Sequence, residues 1–511
     1  MAPATIKPRV LIIGGGGAAM RAALAAAEGG AHVTIVSKGA VARSGCTQAI
    51  DAKIEFSVVN LPWPSPDTPS TYAADLESIG RGLKSPERLQ LFAERSVEEI
   101  ARLEGLGVSL GAAGAYRRIQ LAGSSQPRGI VCPSRFGARV LRALHAAIPR
   151  ERLSVLDRTM ALDVLIADGR ATGVVACDLR TGETAVVPAD AVVLGAGGAG
   201  NVFSLTTNPR ELTGDGYALA WRAGAALDHM EFVQYVMLTV APIRGYFLLT
   251  SLLMRGTLVD DAGDRFAADR DPDDMTPLEQ KARLGELMAW IGARTRSSPR
   301  RRVFWDGRGL DQRLHDAMPR TCAAFARRGV DLAGRPVELA LGAHQFLGGV
   351  ATDLEARSAV PNLFAAGDVA DSVQGADRIN GSGIMEALVF GALAGRGAAA
   401  CERVEGRPEL PAAYARPSPH GIARITARRR RLTEAMDQVL VVRDRSRLNE
   451  LEPALAANFD ELEHGGLAGD SPAATRALHE LRSALTTSLA VVRASLARER
   501  DLGLFRTTTS V

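Results

Sequence analysis

Residues 10–30 constrain this chain more than any others. Val10–Ile13 (VLII) is a short apolar run, Gly14–Gly17 are four consecutive glycines, and AAMRAALAAAE follows before Gly29-Gly30. The apolar run suits a buried strand, the alanine-rich stretch suits a helix, and a glycine pair is a common helix stop. His32–Ser37 (HVTIVS) is a second buried run. Together these pieces make a βαβ unit of about thirty residues. A βαβ unit needs helices to cover its parallel strands, so the chain is expected to be α/β.

Within the turn, Gly14, Gly16 and Ala19 fit the pattern GxGxx[G/A], with Gly15, Gly17 and Ala18 completing it. Glycine permits the tight turn and a close approach to a pyrophosphate, whose charge sits at the helix N-terminus. The motif alone is weak; its position after a strand and before a helix strengthens it. The second strand of such units normally ends in an acid that holds a ribose. Here it ends Ser37-Lys38-Gly39.

Further along, PWPSPDTPS lies in a polar segment near 60–85 that reads as a surface excursion, and helices are expected around 86–105 and 135–148. Short strands with turn signals over 153–188 suggest a small antiparallel insertion. AVVLGAGGAG (191–200) repeats the strand-then-glycine signature, and LFAAGDV returns to it. Residues 240–345 lose that alternation and are rich in charge. The expected division is residues 1–239 and 346–415 as two parts of one nucleotide-binding domain, 240–345 as an inserted capping domain, and 416–511 as a helical domain. Arg428–Arg431 reads as a solvated helix face.

The net charge of +4 suits an anionic ligand and is too small to imply nucleic acid. Cys46, Cys132, Cys177, Cys322 and Cys401 are widely spaced with no CxxC pair, so no metal or iron–sulfur site is expected within the chain. No apolar run reaches membrane-spanning length and no leader is evident, which points to a cytoplasmic protein.

Six ordered pieces then carry a resemblance over nearly the whole length: GGGGAA with VSKG, ARSGCTQAI, LGAGGAGNVFSLTTNPRELTGDGYALAWRAGA, GAHQFLGGVATD, VPNLFAAGDVADSVQGADRINGSGIMEALVFGALAG, and a helical C-terminal region. The chain resembles the flavoprotein subunits of succinate dehydrogenase and fumarate reductase, a family that includes L-aspartate oxidase and the adenylylsulfate reductase α subunit. The resemblance implies a Rossmann-like FAD-binding domain with an inserted α+β capping domain and a C-terminal helical domain. It implies that Ser37, Lys38 and Gly39 face the adenosine ribose, and that Ser44, Gly45, Cys46, Thr47 and Gln48 line the pyrophosphate and flavin. Asp215 and Asp368 are the implied cofactor acids, and Ser382, Gly383 and Ile384 bring N–H groups to the isoalloxazine. Ala161, Ala196, Gly197, Thr207, Asn208 and Gly367 are also assigned to the cofactor. Members with covalent FAD carry a histidine after Arg-Ser; Gly45 stands there, so noncovalent FAD is expected.

The substrate side departs from the family. Its dicarboxylate enzymes follow MEFVQ with aromatic-His-Pro-Thr, whereas this chain has Tyr235-Val236-Met237-Leu238. No Arg-Gly-Glu-Gly-Gly stretch is present; Arg255 falls nearby as the candidate for proton transfer, with Arg244 as a competitor. His344 and Arg378 match surviving anchors. Arginine offers a planar fork for a carboxylate, and imidazole adds a hydrogen bond beside it. The expected activity is oxidation or reduction of a C–C bond beside a carboxylate or carbonyl, on a small anionic substrate other than succinate or fumarate, with Val236–Leu238 facing its apolar part. Readings as an adenylylsulfate-reductase-like subunit, an L-aspartate-oxidase-like enzyme or an electron-transfer subunit remain open. Electrons are expected to leave the flavin either to oxygen or a soluble carrier, or to a docked partner; the family usually docks an iron–sulfur subunit, and such a partner is the favoured exit.

Overall fold

The computed structural model describes residues 8–50, 57–62, 66–111, 116–266, 270–297, 302–406 and 408–508. The N-terminal segment through Lys7 and most of the Ser297–Arg302 charge run lie outside them. A five-stranded parallel sheet forms the centre, in the order Leu363–Ala365, Ala191–Leu194, Arg9–Ile13, His32–Ser37, Leu153–Asp157. The inner strands Arg9–Ile13 and Ala191–Leu194 are almost wholly buried, which explains their unbroken apolar sequence. Leu153–Asp157 was expected in the antiparallel insertion, but it closes this sheet. The insertion consists of Thr159–Ala167, Arg170–Asp178 and Thr184–Pro188.

The helices Gly17–Glu28 and Gly383–Ala399 pack together beside the sheet. A second, antiparallel sheet has the order Val233–Ala241, Val337–Phe346, Val303–Asp306, Thr257–Asp260, Arg265–Phe266, with the helix Pro277–Ser297 against it. The boundaries expected at 239/240 and 345/346 fall inside its first two strands. Those strands pair with each other along nearly their whole length.

Three long helices, Ile422–Met436, Arg445–Glu463 and Pro472–Ala497, make up the C-terminal region. Arg428 and Arg429 do not face solvent freely as expected. Arg428 bonds Asn458 and Glu461, while Arg429 reaches the carbonyls of Glu480 and Asn201, bracing this helix against its neighbours. The segment expected as a surface excursion contains a helix, Pro69–Gly80, that buries Tyr72, Ala73, Leu76 and Ile79. Thr68 caps it by accepting from the Thr71 N–H, and Pro69 takes the first turn, where no N–H is needed.

Candidate active site

Two helix N-termini converge at the C-terminal edge of the parallel strands. Their helices approach closely because Gly391 and Gly395 stand at the crossing. A Cβ at Gly391 would lie 2.7 Å from the Ala18 carbonyl oxygen, and one at Gly395 would overlap that of Ala22. The crossing sets Gly17 beside Ala387, 3.8 Å from where a Gly17 Cβ would be. Gly14, at φ +125°, turns the chain against the Gly195 carbonyl, a position any side chain would overlap. The turn after Ala191–Leu194 follows, with Gly198 placed so that a Cβ would lie 3.7 Å from that of Asp368. Thus the segments around Gly14–Gly17, Ala196–Gly198 and Gly367–Asp368 and the start of the Gly383–Ala399 helix lie close together. Free N–H groups and the positive ends of helices favour an anion such as a pyrophosphate.

Side chains finish the cradle. Thr47 Oγ1 accepts from the Gly17 N–H at 3.1 Å, and the Ser37 and Ser44 hydroxyls crowd Gly15. The Gly45 N–H donates to Glu211 at 3.0 Å. Cys46 is half-buried, and burial, with Asp368 and Glu211 nearby, pushes its thiol well above the usual range. A thiol so held is a poor nucleophile. Ala161 sits in the strand Thr159–Ala167, opposite Ala176.

The two acids differ. Asp215 is paired with Lys38 at 2.7 Å and accepts from Thr213 at 2.8 Å. Lys38 also reaches Glu480 at 3.1 Å on the Pro472–Ala497 helix. Burial opposes ionisation of Asp215, but Lys38, Thr213 and Ser483 together more than offset it, and the carboxyl lies below its usual range. The Asp368 carboxylate, by contrast, has no hydrogen-bond partner among the described residues. Burial, with Glu386 adding repulsion, pushes it up to about 6 despite Arg378. An orphaned carboxylate beside two helix N-termini fits FAD, whose hydroxyls would satisfy it and whose pyrophosphate would meet the N–H groups.

On the opposite side, Arg378 is buried with no carboxylate paired to its guanidinium among the described residues. Nη1 donates to Gln234 Oε1 at 3.0 Å and Nε to Ser382 Oγ at 3.3 Å. Nη2 lies over the helix start, 2.8 Å from where a Gly383 Cβ would be. Gln374 links Ser382 to Glu386, at 2.9 and 2.8 Å, so the loop around Arg378 is held by a continuous polar network. His344 is partly exposed, and its Nδ1 meets Thr207 Oγ1 at 2.8 Å. Burial first, then the Arg378 charge, lowers its pKa to about 3, so the imidazole is neutral.

Several expectations need correction. Of Val236–Leu238, only Val236 is partly open; Met237 and Leu238 are 2% and 0% exposed and belong to the interior, Leu238 against Gly342. A strand buried on both faces hides its alternate residues equally. Arg255 is held by Asp271 at 2.9 Å and by Asp273 at 2.5 Å, and it makes no hydrogen bond or ion pair with the His344–Arg378 pair. Thr207 and Asn208 support His344, with Asn208 Nδ2 donating to the His344 main-chain carbonyl at 2.8 Å. Gln234 and Gln374 were missed; the final glutamine of MEFVQ, polar in an apolar strand, was the available signal for the first.

The family described as an FAD binding domain matches residues 9–384. The chain is 29% identical over 518 residues to a fumarate reductase (CoM/CoB) subunit of Methanothermobacter marburgensis, covering 97% of this chain and 93% of that one. It is 31% identical over 420 residues to L-aspartate oxidase of Mycobacterium tuberculosis, covering 80% and 77%. The fold is similar to that of the Mycobacterium smegmatis Sdh1 complex, with TM-score 0.84, 24% identity and coverage of 98% and 89%. It is similar also to adenylylsulfate reductase of Archaeoglobus fulgidus, with TM-score 0.74, 19% identity and coverage of 99% and 91%. The chain belongs to the succinate dehydrogenase/fumarate reductase flavoprotein family of FAD-dependent oxidoreductases.

Proposed function

We propose that this enzyme oxidises or reduces a C–C bond adjacent to a carboxylate or carbonyl, on a substrate with one anionic end and an apolar remainder. The observation that carries the reading is Arg378, a buried guanidinium with no carboxylate paired to it among the described residues, whose charge is felt by a neutral His344. A buried cation without a counter-ion is costly unless an anionic ligand completes it. Arg378 would hold the substrate carboxylate and spread its charge, drawing electron density from the α-carbon. His344, fixed through Thr207, would add a neutral hydrogen bond without a competing charge. Where the dicarboxylate enzymes of the family have a histidine, Val236 offers only apolar surface, so a second carboxylate would go unpaired. Bound FAD supplies the two-electron redox centre.

The FAD is proposed to be noncovalent, because Gly45 has no attacking atom and Cys46 holds its proton. Acid precipitation should release all of the yellow colour into the supernatant. An iron–sulfur partner subunit is proposed as the electron exit, since the five cysteines are scattered and form no disulfide among the described residues. Reduced cysteines also agree with a cytoplasmic location. The test is anaerobic mixing of the dithionite-reduced holoenzyme with crotonate, cinnamate and their thioesters. Reoxidation by at least one is expected, whereas inertness to all, with oxidation by oxygen alone, would overturn the reading.

A further inference from the structure

Arg378 belongs to the loop before the Gly383–Ala399 helix, yet two of its bonds come from the antiparallel-sheet region. Its guanidinium is held by Gln234, on the strand Val233–Ala241. Its main-chain carbonyl accepts from Lys281 Nζ at 2.8 Å. Lys281 stands on the Pro277–Ser297 helix and is 8% exposed. The same ammonium pairs with Asp377 at 2.9 Å, and Asp377 in turn accepts the Arg378 N–H at 2.7 Å. The helix start is tied down separately, the Gly123 N–H donating to the Pro277 carbonyl at 2.8 Å.

We propose that Lys281 is a positioning residue: it latches the antiparallel-sheet region onto the Asp377–Arg378 peptide, so that the substrate-facing guanidinium is presented only while that region is docked. This rests on the reading of Arg378 as the anion anchor. A guanidinium must be placed within a few tenths of an ångström to grip a carboxylate with both arms. Fixing the arginine's own carbonyl limits motion at the root of the side chain, while Gln234 limits it at the tip. If the antiparallel-sheet region as a whole, strand Val233–Ala241 and helix Pro277–Ser297 together, moves away, both restraints go together. Lys281 touches neither substrate nor cofactor in this scheme, and its effect reaches the site through one peptide unit.

Lys281→Met and Lys281→Arg holoenzymes test the latch in two measurements. The first is amide hydrogen exchange with FAD bound. Lys281→Met should speed exchange in 374–382 at least tenfold and leave 14–19 unchanged. The second is crotonate affinity, read from its perturbation of the flavin absorbance. Lys281→Met should weaken it tenfold or more, and Lys281→Arg should recover most of the loss, which a merely packing role would not allow. Should Lys281→Met fail to fold, Asp377→Asn should show both effects in smaller measure. Unchanged exchange in 374–382, equal acceleration at 14–19, or unchanged crotonate affinity would each overturn the proposal. If crotonate fails to bind the unsubstituted enzyme, the anion-anchor reading falls, and the exchange measurement still decides whether the latch exists.

Discussion

Gln234 Oε1 accepts a hydrogen bond from Arg378 Nη1 at 3.0 Å, joining the strand Val233–Ala241 to the loop that precedes the Gly383–Ala399 helix. A glutamine oxygen orients the guanidinium without neutralising it. The full charge therefore remains available to a ligand, in a place where burial alone would make it unfavourable.

Arg378→Ala should abolish substrate-dependent reduction or reoxidation of the flavin while FAD stays bound. Losing a charge-assisted pair of hydrogen bonds is worth about 3 kcal/mol or more, roughly a hundredfold in kcat/KM. Arg378→Lys should recover little, since an ammonium lacks the planar fork. Stopped-flow absorbance of the flavin checks both, and normal kinetics in the alanine variant would remove Arg378 from the site.

Succinate should leave the flavin absorbance of the unsubstituted enzyme unchanged. Val236 lies across the sheet from Gly342 and is partly open, and on the proposed reading its side chain faces the substrate. Val236→His should accordingly gain measurable affinity for succinate, in a difference titration, of about tenfold over the parent for one added hydrogen bond. Rapid bleaching of the parent by succinate would show that a second carboxylate is already satisfied.

The parts legible in the sequence were those whose physics is local. Buried parallel strands write themselves as unbroken apolar runs, and the Gly14–Gly17 turn needs glycine whatever the rest of the chain does. The Pro69–Gly80 helix was hidden because its prolines, read as loop markers, include one at the first helical position. Met237 and Leu238 were misread because a strand covered on both faces carries no alternation to show which side chains reach a cleft. Arg255 stood near where the family places its motif arginine, but only the fold reveals that Asp271 and Asp273 hold it. The Lys281–Arg378 contact joins residues from separate segments, and no local pattern announces it.

FAD affinity should rise from pH 5 to pH 7.5. The Asp368 carboxyl sits at about 6 in the protein, raised by burial and Glu386. A carboxyl whose folded pKa is above its unfolded value favours the fold when protonated, so its contribution to apoprotein stability falls as pH rises from about 4 through about 6. Cofactor hydroxyls that donate to the carboxylate favour the ionised form, so binding releases a proton below that pH and strengthens above it. Asp368→Asn should flatten both trends, in thermal melts of the apoprotein and in flavin titrations. A steep trend that survives in Asp368→Asn would assign it to another group.

His344 should contribute no ionisation to the activity profile between pH 5 and 8. Burial and the Arg378 charge depress its pKa from the usual 6.5 to about 3, so the ring stays neutral across that range. The sign for stability follows directly. A histidine that resists protonation in the fold but accepts a proton when unfolded costs stability as pH falls from about 6.5 toward 3, because the unfolded chain then binds the extra proton. His344→Gln removes that titration, so its stability deficit against the parent should shrink as pH is lowered through this window in urea unfolding. The same variant loses the imidazole and should lower kcat/KM about tenfold, the scale of one neutral hydrogen bond, without moving any inflection of the pH–rate profile. An inflection near pH 6.5 that is present in the parent and absent from His344→Gln would show that the imidazole takes up a proton during turnover, and the neutral role assigned to it here would be wrong.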